Sequence, residues 1–188
     1  MVGYVYIMSS GYDPEHGKNL NDPYLGRVPT LGACMPNIRR QVVEGDQIFF
    51  VSGRIREVRQ FVVGGFTVEE KISAMTAFQR FPQHRLCLQE QGAVSGNIIV
   101  DSRGRHNRLD NHGGFQQRIE NYIVGRDPVV LSRPQEIAKG REETVDVLGE
   151  IMRKRGTKPY DIIGRASKLN EDQVLELRHW LSSLKARP

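Results

Sequence analysis

Hydrophobic and polar residues alternate at the start of the chain, where Val2, Tyr4, Tyr6 and Met8 share one parity and predict a first strand. A polar stretch follows from Ser9 to Pro29, rich in Gly, Asp, Asn and Pro. A loop that long within a compact domain is usually functional or mobile. Pro36 at a first helical position and Gly45 as a stop predict a short helix over Pro36–Glu44. Gly45-Asp46 then reads as a tight turn into the strand QIFFVSG, which has turn residues at both ends. Phe49, Phe50 and Val51 break the alternation, so both faces of this strand are expected to be covered. The longest strand candidate is Phe61–Val68, and Gly64-Gly65 inside it predicts a bulge or sharp bend of the kind small barrels use at their corners.

Further along, Ser73 is placed to cap a helix running to Phe81 and stopped by Pro82. Short strands are expected at Arg85–Leu88 and Asn97–Val100, a turn-rich segment from Ser95 to Gly114, and a brief buried strand within Asp127–Ser132. From Thr144 the spacing becomes helical, with Val147, Leu148, Ile151 and Met152 on one face. Asn170 with Gln173 predicts a capping box for a last helix, whose apolar stripe is Val174, Leu177, Leu181 and Leu184, with Trp180 nearby. Strands up to Ser132 and helices beyond it predict an α+β fold, a small curled, mixed β-barrel with packed helices and a C-terminal helical extension. The expected organisation is a recognition domain over residues 1–140 and a helical packing or interaction segment over 141–188.

Composition narrows the class. With 188 residues the chain can bury one real core, and no apolar run approaches the ~20 residues of a membrane span, so no membrane partner is expected. The start, MVGYVYIMSS, lacks a basic leader and a cleavage site, which argues against a signal peptide. Two cysteines, Cys34 and Cys87, without CxxC spacing, cannot build a disulfide framework, and the expected setting is cytoplasmic with both thiols reduced. The net charge of +5 permits an anionic partner without requiring one. Arginine supplies most of the excess, in clusters at Arg39-Arg40, Arg54/Arg56/Arg59 and Arg103/Arg105/Arg108, and arginine suits bidentate phosphate recognition. Solvated faces explain each cluster singly; their recurrence beside glycine-rich turns favours anion binding.

Three groupings carry candidate chemistry. In Cys34-Met35-Pro36-Asn37-Ile38-Arg39-Arg40 the two arginines fall in the expected opening turn of a helix, against its dipole, which points to a phosphate or carboxylate held there. The bland alternative is a pair of guanidiniums in solvent or paired with Glu44 or Asp46. Cys34 near arginines is a candidate nucleophile, but no histidine adjoins it in sequence and a buried, inert thiol is the commoner case. Second, Ser52-Gly53-Arg54 closes a strand with a hydroxyl and a point where a ligand can approach the backbone. Third, His106, Asp110, Asn111 and His112 form a polar turn before Gly113-Gly114; their spacing fits no zinc class, so no metal is expected, while a base edge is a plausible partner for their amide and imidazole groups. There is no Walker loop, GxSxG, HExxH or GxGxxG. No cofactor is expected, and a binding role needs fewer assumptions than catalysis.

An aromatic first strand, then ACMPNIRR, an EGD turn into IFFVSG, VVGGFTVEEKIS and AMTAFQRF resemble the type-two nucleotide-modification-associated domain family. Later segments, LDNHGG and DPVVLSRPQEIAKG, are similar to that family's Asp-Asn and Leu-Ser segments. The likeness covers roughly residues 3 to 140 and is strongest from Ala33 to Gly53. The chain departs from it where related sequences often carry Trp, at the end of the Ile48–Ser52 strand, and in PQEIAKG, which has no aromatic pair before its glycine. The Gly-Asp-strand arrangement is also similar to PUA-like barrels, including ASCH and EVE domains. These resemblances imply a barrel cleft that takes a nucleotide or a flipped, modified base of DNA or RNA, in a modification or defence setting. They imply a cleft lined by Arg39, Arg40, Ser52, Gly53 and Arg54, joined by Asp110, Asn111 and His112, with Tyr12 as a stacking residue beside Tyr4 and Tyr6. The expected function is therefore recognition of a nucleotide or base. The alternatives are an enzyme acting on one through Asp110, His112 or Cys34, and a subunit that docks a protein partner or a second copy through its C-terminal helices.

Overall fold

The computed structural model describes residues 1–9, 11–16, 21–90 and 92–186. Part of the expected Ser9–Pro29 loop, residues 10 and 17–20, lies outside the described residues. The chain forms two compact units. One comprises Met1–Leu20, Gly45–Thr67 and Asp127–Pro188, the other Asn21–Glu44 and Val68–Arg126. The segment singled out above, Ala33–Gly53, is thus divided at Gly45.

The first unit is built on β1 (Gly3–Ile7), β3 (Gln47–Val51) and β8 (Ala166–Leu169), with β2 being Thr30–Leu31 of the second unit. Strands β4 (Val62–Ile72) and β7 (Tyr122–Val130) each run from one unit into the other. The mixed six-stranded sheet has the order β2-β7-β4-β3-β1-β8. Strand β1 pairs parallel with β3, Tyr4 opposite Ile48 and Tyr6 opposite Phe50, and antiparallel with β8 on its other side. All five residues of β1 and of β3 are buried, because both strands are interior to the sheet and both faces are covered. The expected alternation of β1 gives way for that reason.

The expected barrel is not formed. Among the described residues neither the six-stranded sheet nor the small pair β5 (Cys87–Leu88) and β6 (Val94–Ser95) closes or curls on itself; the larger sheet ends at β2 and β8. The bend expected at Gly64-Gly65 exists as a register shift, with Phe50 opposite Gly64 but Val51 opposite Val62. One bulge adds local twist, whereas closure needs a coordinated tilt and stagger of every strand.

Helices follow local signals with shifted ends. Helix α1 (Pro36–Gln41) has Pro36 at its start, as expected, but stops at Val42 rather than Glu44. In α2 (Ala74–Arg80) the Ser73 hydroxyl accepts a bond from the Thr76 N–H. A one-turn α3 (Phe115–Arg118) lies in the turn-rich segment. Helix α4 (Pro134–Met152) begins ten residues before Thr144 because Pro134 starts it and Glu136 accepts from the Ser132 and Arg133 N–H groups. A short α5 (Pro159–Ile163) precedes β8. The capping box of α6 (Glu171–Ala186) is present, with Asn170 and Gln173 exchanging 2.9 Å bonds. Its stripe of Val174, Leu177, Leu181 and Leu184 is buried within the first unit, and the Trp180 indole N–H donates to Glu143. That apolar stripe is thus core, and 141–188 belongs with β1 and β3 to a single unit. No helix among the described residues is long and apolar enough to cross a membrane.

Candidate active site

The second unit has its own core of Ala74, Ala77, Phe81, Ile98, Val100, Tyr122 and Val124. The same unit holds an arrangement that sequence spacing conceals. Cys34 Sγ lies 4.0 Å from His112 Nε2. The other ring nitrogen, His112 Nδ1, lies 2.6 Å from Asp110 Oδ1. A carboxylate can only accept, so the Nδ1 proton is directed at Asp110, and Nε2 is the ring nitrogen turned toward the thiol. Asp110 also holds a second imidazole, His106, whose Nε2 donates to Oδ2 at 2.7 Å and whose ring stacks on Phe115. The Asp110 side chain is only 3% exposed, against 34% for that of His112, so the carboxylate is fixed from below while the imidazole reaches solvent. A nucleophile, a base and a group that orients the base are the parts of a thiol reaction centre.

Two arginines hold the Cys34 loop against the His112 loop. Arg39 is fully buried, and its guanidinium donates to the carbonyls of Cys34 at 2.8 Å, Ala33 at 3.2 Å, Asn121 at 2.6 Å and Arg118 at 3.1 Å. Arg118 in turn donates to the carbonyls of Gly113 at 2.7 Å and Ala33 at 2.5 Å. The rigid fork of arginine suits this many-sided bonding, which lysine cannot reproduce. Arg39 is therefore a fastener, not a surface for an outside anion. The expectation that both arginines oppose the dipole of α1 also changes. The helix has six residues, so Arg39 and Arg40 sit in its last turn, where cations are favoured. Arg40 is exposed, and its carbonyl accepts from Lys71 Nζ at 3.0 Å.

The Cys34 thiol is not pre-activated. Burial pushes its pKa up, and the neighbouring Asp22 carboxylate raises it further, while Arg118 and Arg39 oppose both. Asp22 accepts from the N–H groups of Gly32 at 2.6 Å, Ala33 at 2.8 Å and Cys34. Beneath it lies a buried polar chain. Asn97 Nδ2 donates to Thr30 Oγ1 at 2.9 Å, the Tyr122 hydroxyl donates to Asn97 Oδ1 at 2.8 Å, and His84 Nδ1 is 3.2 Å from that hydroxyl.

The remaining expected site residues behave differently. Ser52 is 1% exposed: its N–H donates to the Phe61 carbonyl at 2.8 Å, its hydroxyl accepts from the Phe61 N–H at 3.0 Å, and its carbonyl accepts from Gln60 at 2.7 Å. Gly53 donates to the Tyr12 carbonyl at 2.9 Å, and a Cβ there would meet the backbone nitrogens of Gly11 and Tyr12 at 2.6 and 2.7 Å. The close backbone approach foreseen at Gly53 is thus made by the chain's own Gly11-Tyr12. Tyr12 is half-buried, with its hydroxyl pKa raised by burial and by Asp13. Arg54 and Asn111 are exposed.

Asp13, Glu15 and His16 bring ligand atoms within 4.8 Å of one another, as a metal site would. Arg141 occupies that position, with one nitrogen 2.8 and 2.9 Å from the two Asp13 oxygens and 3.2 Å from His16 Nδ1, and another on Glu15.

Known proteins add nothing to this geometry. No family model, curated protein or solved structure matches the chain.

Proposed function

We propose that this protein is a thiol-dependent enzyme acting on a nucleotide or a nucleic-acid base, with Cys34 as nucleophile, His112 as its base and Asp110 as the group that orients His112. The carrying observation is the Cys34–His112–Asp110 alignment, 4.0 Å and 2.6 Å along its two links. Sulfur–nitrogen separations in a site without substrate are commonly longer than at reaction. In the step this supports, a bond forms from Sγ to an electrophilic carbon of the substrate as the thiol proton passes to His112 Nε2. The leaving group departs with its bonding electrons and takes that proton; water or a second acceptor then resolves the adduct. Arg103 and Arg108 stand exposed on the loop that carries His106 to His112, which favours a phosphate-bearing substrate.

One feature favours a second reading, recognition without turnover: burial and the Asp22 carboxylate push the Cys34 thiol pKa up. The two readings share a site and part on one experiment. A panel of free nucleotides and of plain and modified oligonucleotides is assayed for product with the wild-type chain and Cys34→Ala, and titrated by fluorescence at low salt. Product formation lost in Cys34→Ala supports the enzyme. Binding without product, equal in both proteins, supports recognition alone. Neither binding nor product sinks both.

A further inference from the structure

The peptide units of Gly32, Ala33 and Cys34 are oriented in a way the thiol alignment does not explain. Their three consecutive N–H groups converge on the Asp22 carboxylate: Gly32 donates to Oδ1 at 2.6 Å, and Ala33 and Cys34 donate to Oδ2. The loop is also held from its carbonyl side. The Ala33 carbonyl accepts from both Arg39 and Arg118, and the Cys34 carbonyl from Arg39. Gly32 is pinned as well, since a Cβ there would strike the Asn97 carbonyl and lie 2.7 Å from the Tyr122 ring. The Cys34 N–H, which shares its peptide plane with the Ala33 carbonyl, is therefore held by two guanidiniums, and Gly32 by its packing, independently of Asp22. Helix α1 plays no part in this, because these residues precede its Met35 cap.

Fixed N–H groups that converge beside a nucleophile are what stabilises an anion or a developing oxyanion. A carboxylate seated on them blocks that use. It occupies the nucleophile's own N–H, and its charge beside the sulfur opposes formation of a thiolate. Asp22 is thus a misplaced permanent partner for a reacting thiol and a well-placed temporary one. We propose that the N–H groups of Gly32, Ala33 and Cys34 are the anion-binding subsite of this centre, and that Asp22 is its resting occupant, displaced by a phosphate or oxyanion group of the substrate. The role in turnover rests on the thiol-enzyme reading; the subsite itself does not.

The charged and titratable groups facing Cys34 are Asp22, His112, Arg39 and Arg118, and the test alters Asp22 and, in a separate variant, His112. Asp22→Ala and Asp22→Asn are made in a Cys87→Ser background, so that Cys34 is the one thiol. Inorganic phosphate is titrated while the backbone 15N–1H signals of Gly32, Ala33 and Cys34 are followed, and the rate of Cys34 alkylation by iodoacetamide is measured in parallel. In Asp22→Ala phosphate moves those three signals saturably, whereas in the parent they move much less at equal concentration. Alkylation at pH 8 rises on the order of tenfold when the Asp22 charge is gone, and phosphate slows it again. Asp22→Asn, which keeps one accepting oxygen, shows the same rise in alkylation and weaker phosphate shifts, and it decides the matter if Asp22→Ala loses its dispersed amide spectrum. Unmoved signals in a folded variant overturn the subsite. Saturable shifts at the three amides, with alkylation indifferent to His112→Ala, would leave the subsite standing and remove the thiol-enzyme reading.

Discussion

The loop at Cys34 and the strand end at Ser52-Gly53 belong to one stretch of sequence and resemble each other in composition. Each pairs a small nucleophilic side chain with a glycine and has arginine close by. In the folded chain their polar groups have opposite fates. Around Ser52 the N–H, hydroxyl and carbonyl all bond to Phe61 and Gln60, and Gly53 is closed by Gly11-Tyr12. Around Cys34 the carbonyls are engaged by Arg39 and Arg118, but the thiol meets an imidazole that is about one-third exposed. A hydroxyl whose bonds are all internal stabilises a turn. A thiol facing a partly exposed, carboxylate-oriented base is equipped to react.

Substitutions test that contrast. The largest effect is expected from Cys34→Ala, which should abolish any product formation found with the nucleotide panel. His112→Ala should lower it by about 10²–10⁴-fold, the usual range for a general base. Next is Arg39→Ala, which leaves four carbonyls around a cavity; a loss of more than about 3 kcal/mol is expected by urea denaturation, and Arg39→Lys should not restore it. Ser52→Ala should cost on the order of 1 kcal/mol for its buried hydroxyl bond while Cys34 alkylation stays at the parental rate. A change in Cys34 reactivity there would dissolve the distinction between the two regions.

Acid sensitivity gives a further measurement away from both. Burial alone would raise the Glu136 carboxyl, but the Ser132 and Arg133 N–H groups and Lys185 hold it down to about 2 from an ordinary 4.5. A folded pKa below the unfolded one gives stability that is present above pH 4.5 and is lost as pH falls toward 2. Glu136→Gln should therefore destabilise the protein at neutral pH, with the deficit closing through that window. The smallest effect is expected for Asn111→Ala, an exposed position, within about 0.5 kcal/mol.

Much of the local structure was legible in the sequence. Ser73 and Asn170 cap helices, Pro36 starts one, and the break in alternation at Phe49-Phe50 marks a strand covered on both faces. Strand β7 was legible only at its end, because Gly125 and Asp127-Pro128 interrupt its pattern and Asp127 takes a φ of 50° within it. Closure into a barrel was not legible at all, since it is set by the stagger of every strand and not by any one bulge. At the candidate site the chemistry of the residue types was visible, but their meeting was not. Cys34 and His112 are 78 positions apart, so the absence of a histidine beside Cys34 in sequence carried no information about its neighbours in space. Arg39, read from the sequence as an anion-binding group, instead bonds carbonyls around Cys34, and Arg118, which joins it there, had no signal in the sequence for that role.

In the proposed enzyme Cys34, His112 and Asp110 act as one unit. The direct measurement is the rate of Cys34 alkylation by iodoacetamide in the Cys87→Ser background, alone and with His112→Ala, Asp110→Asn and the two combined. Groups acting as a unit give non-additive losses. Each single variant should slow alkylation several-fold and the combination no further than His112→Ala alone. Rates that match the parent in all three variants would contradict the account.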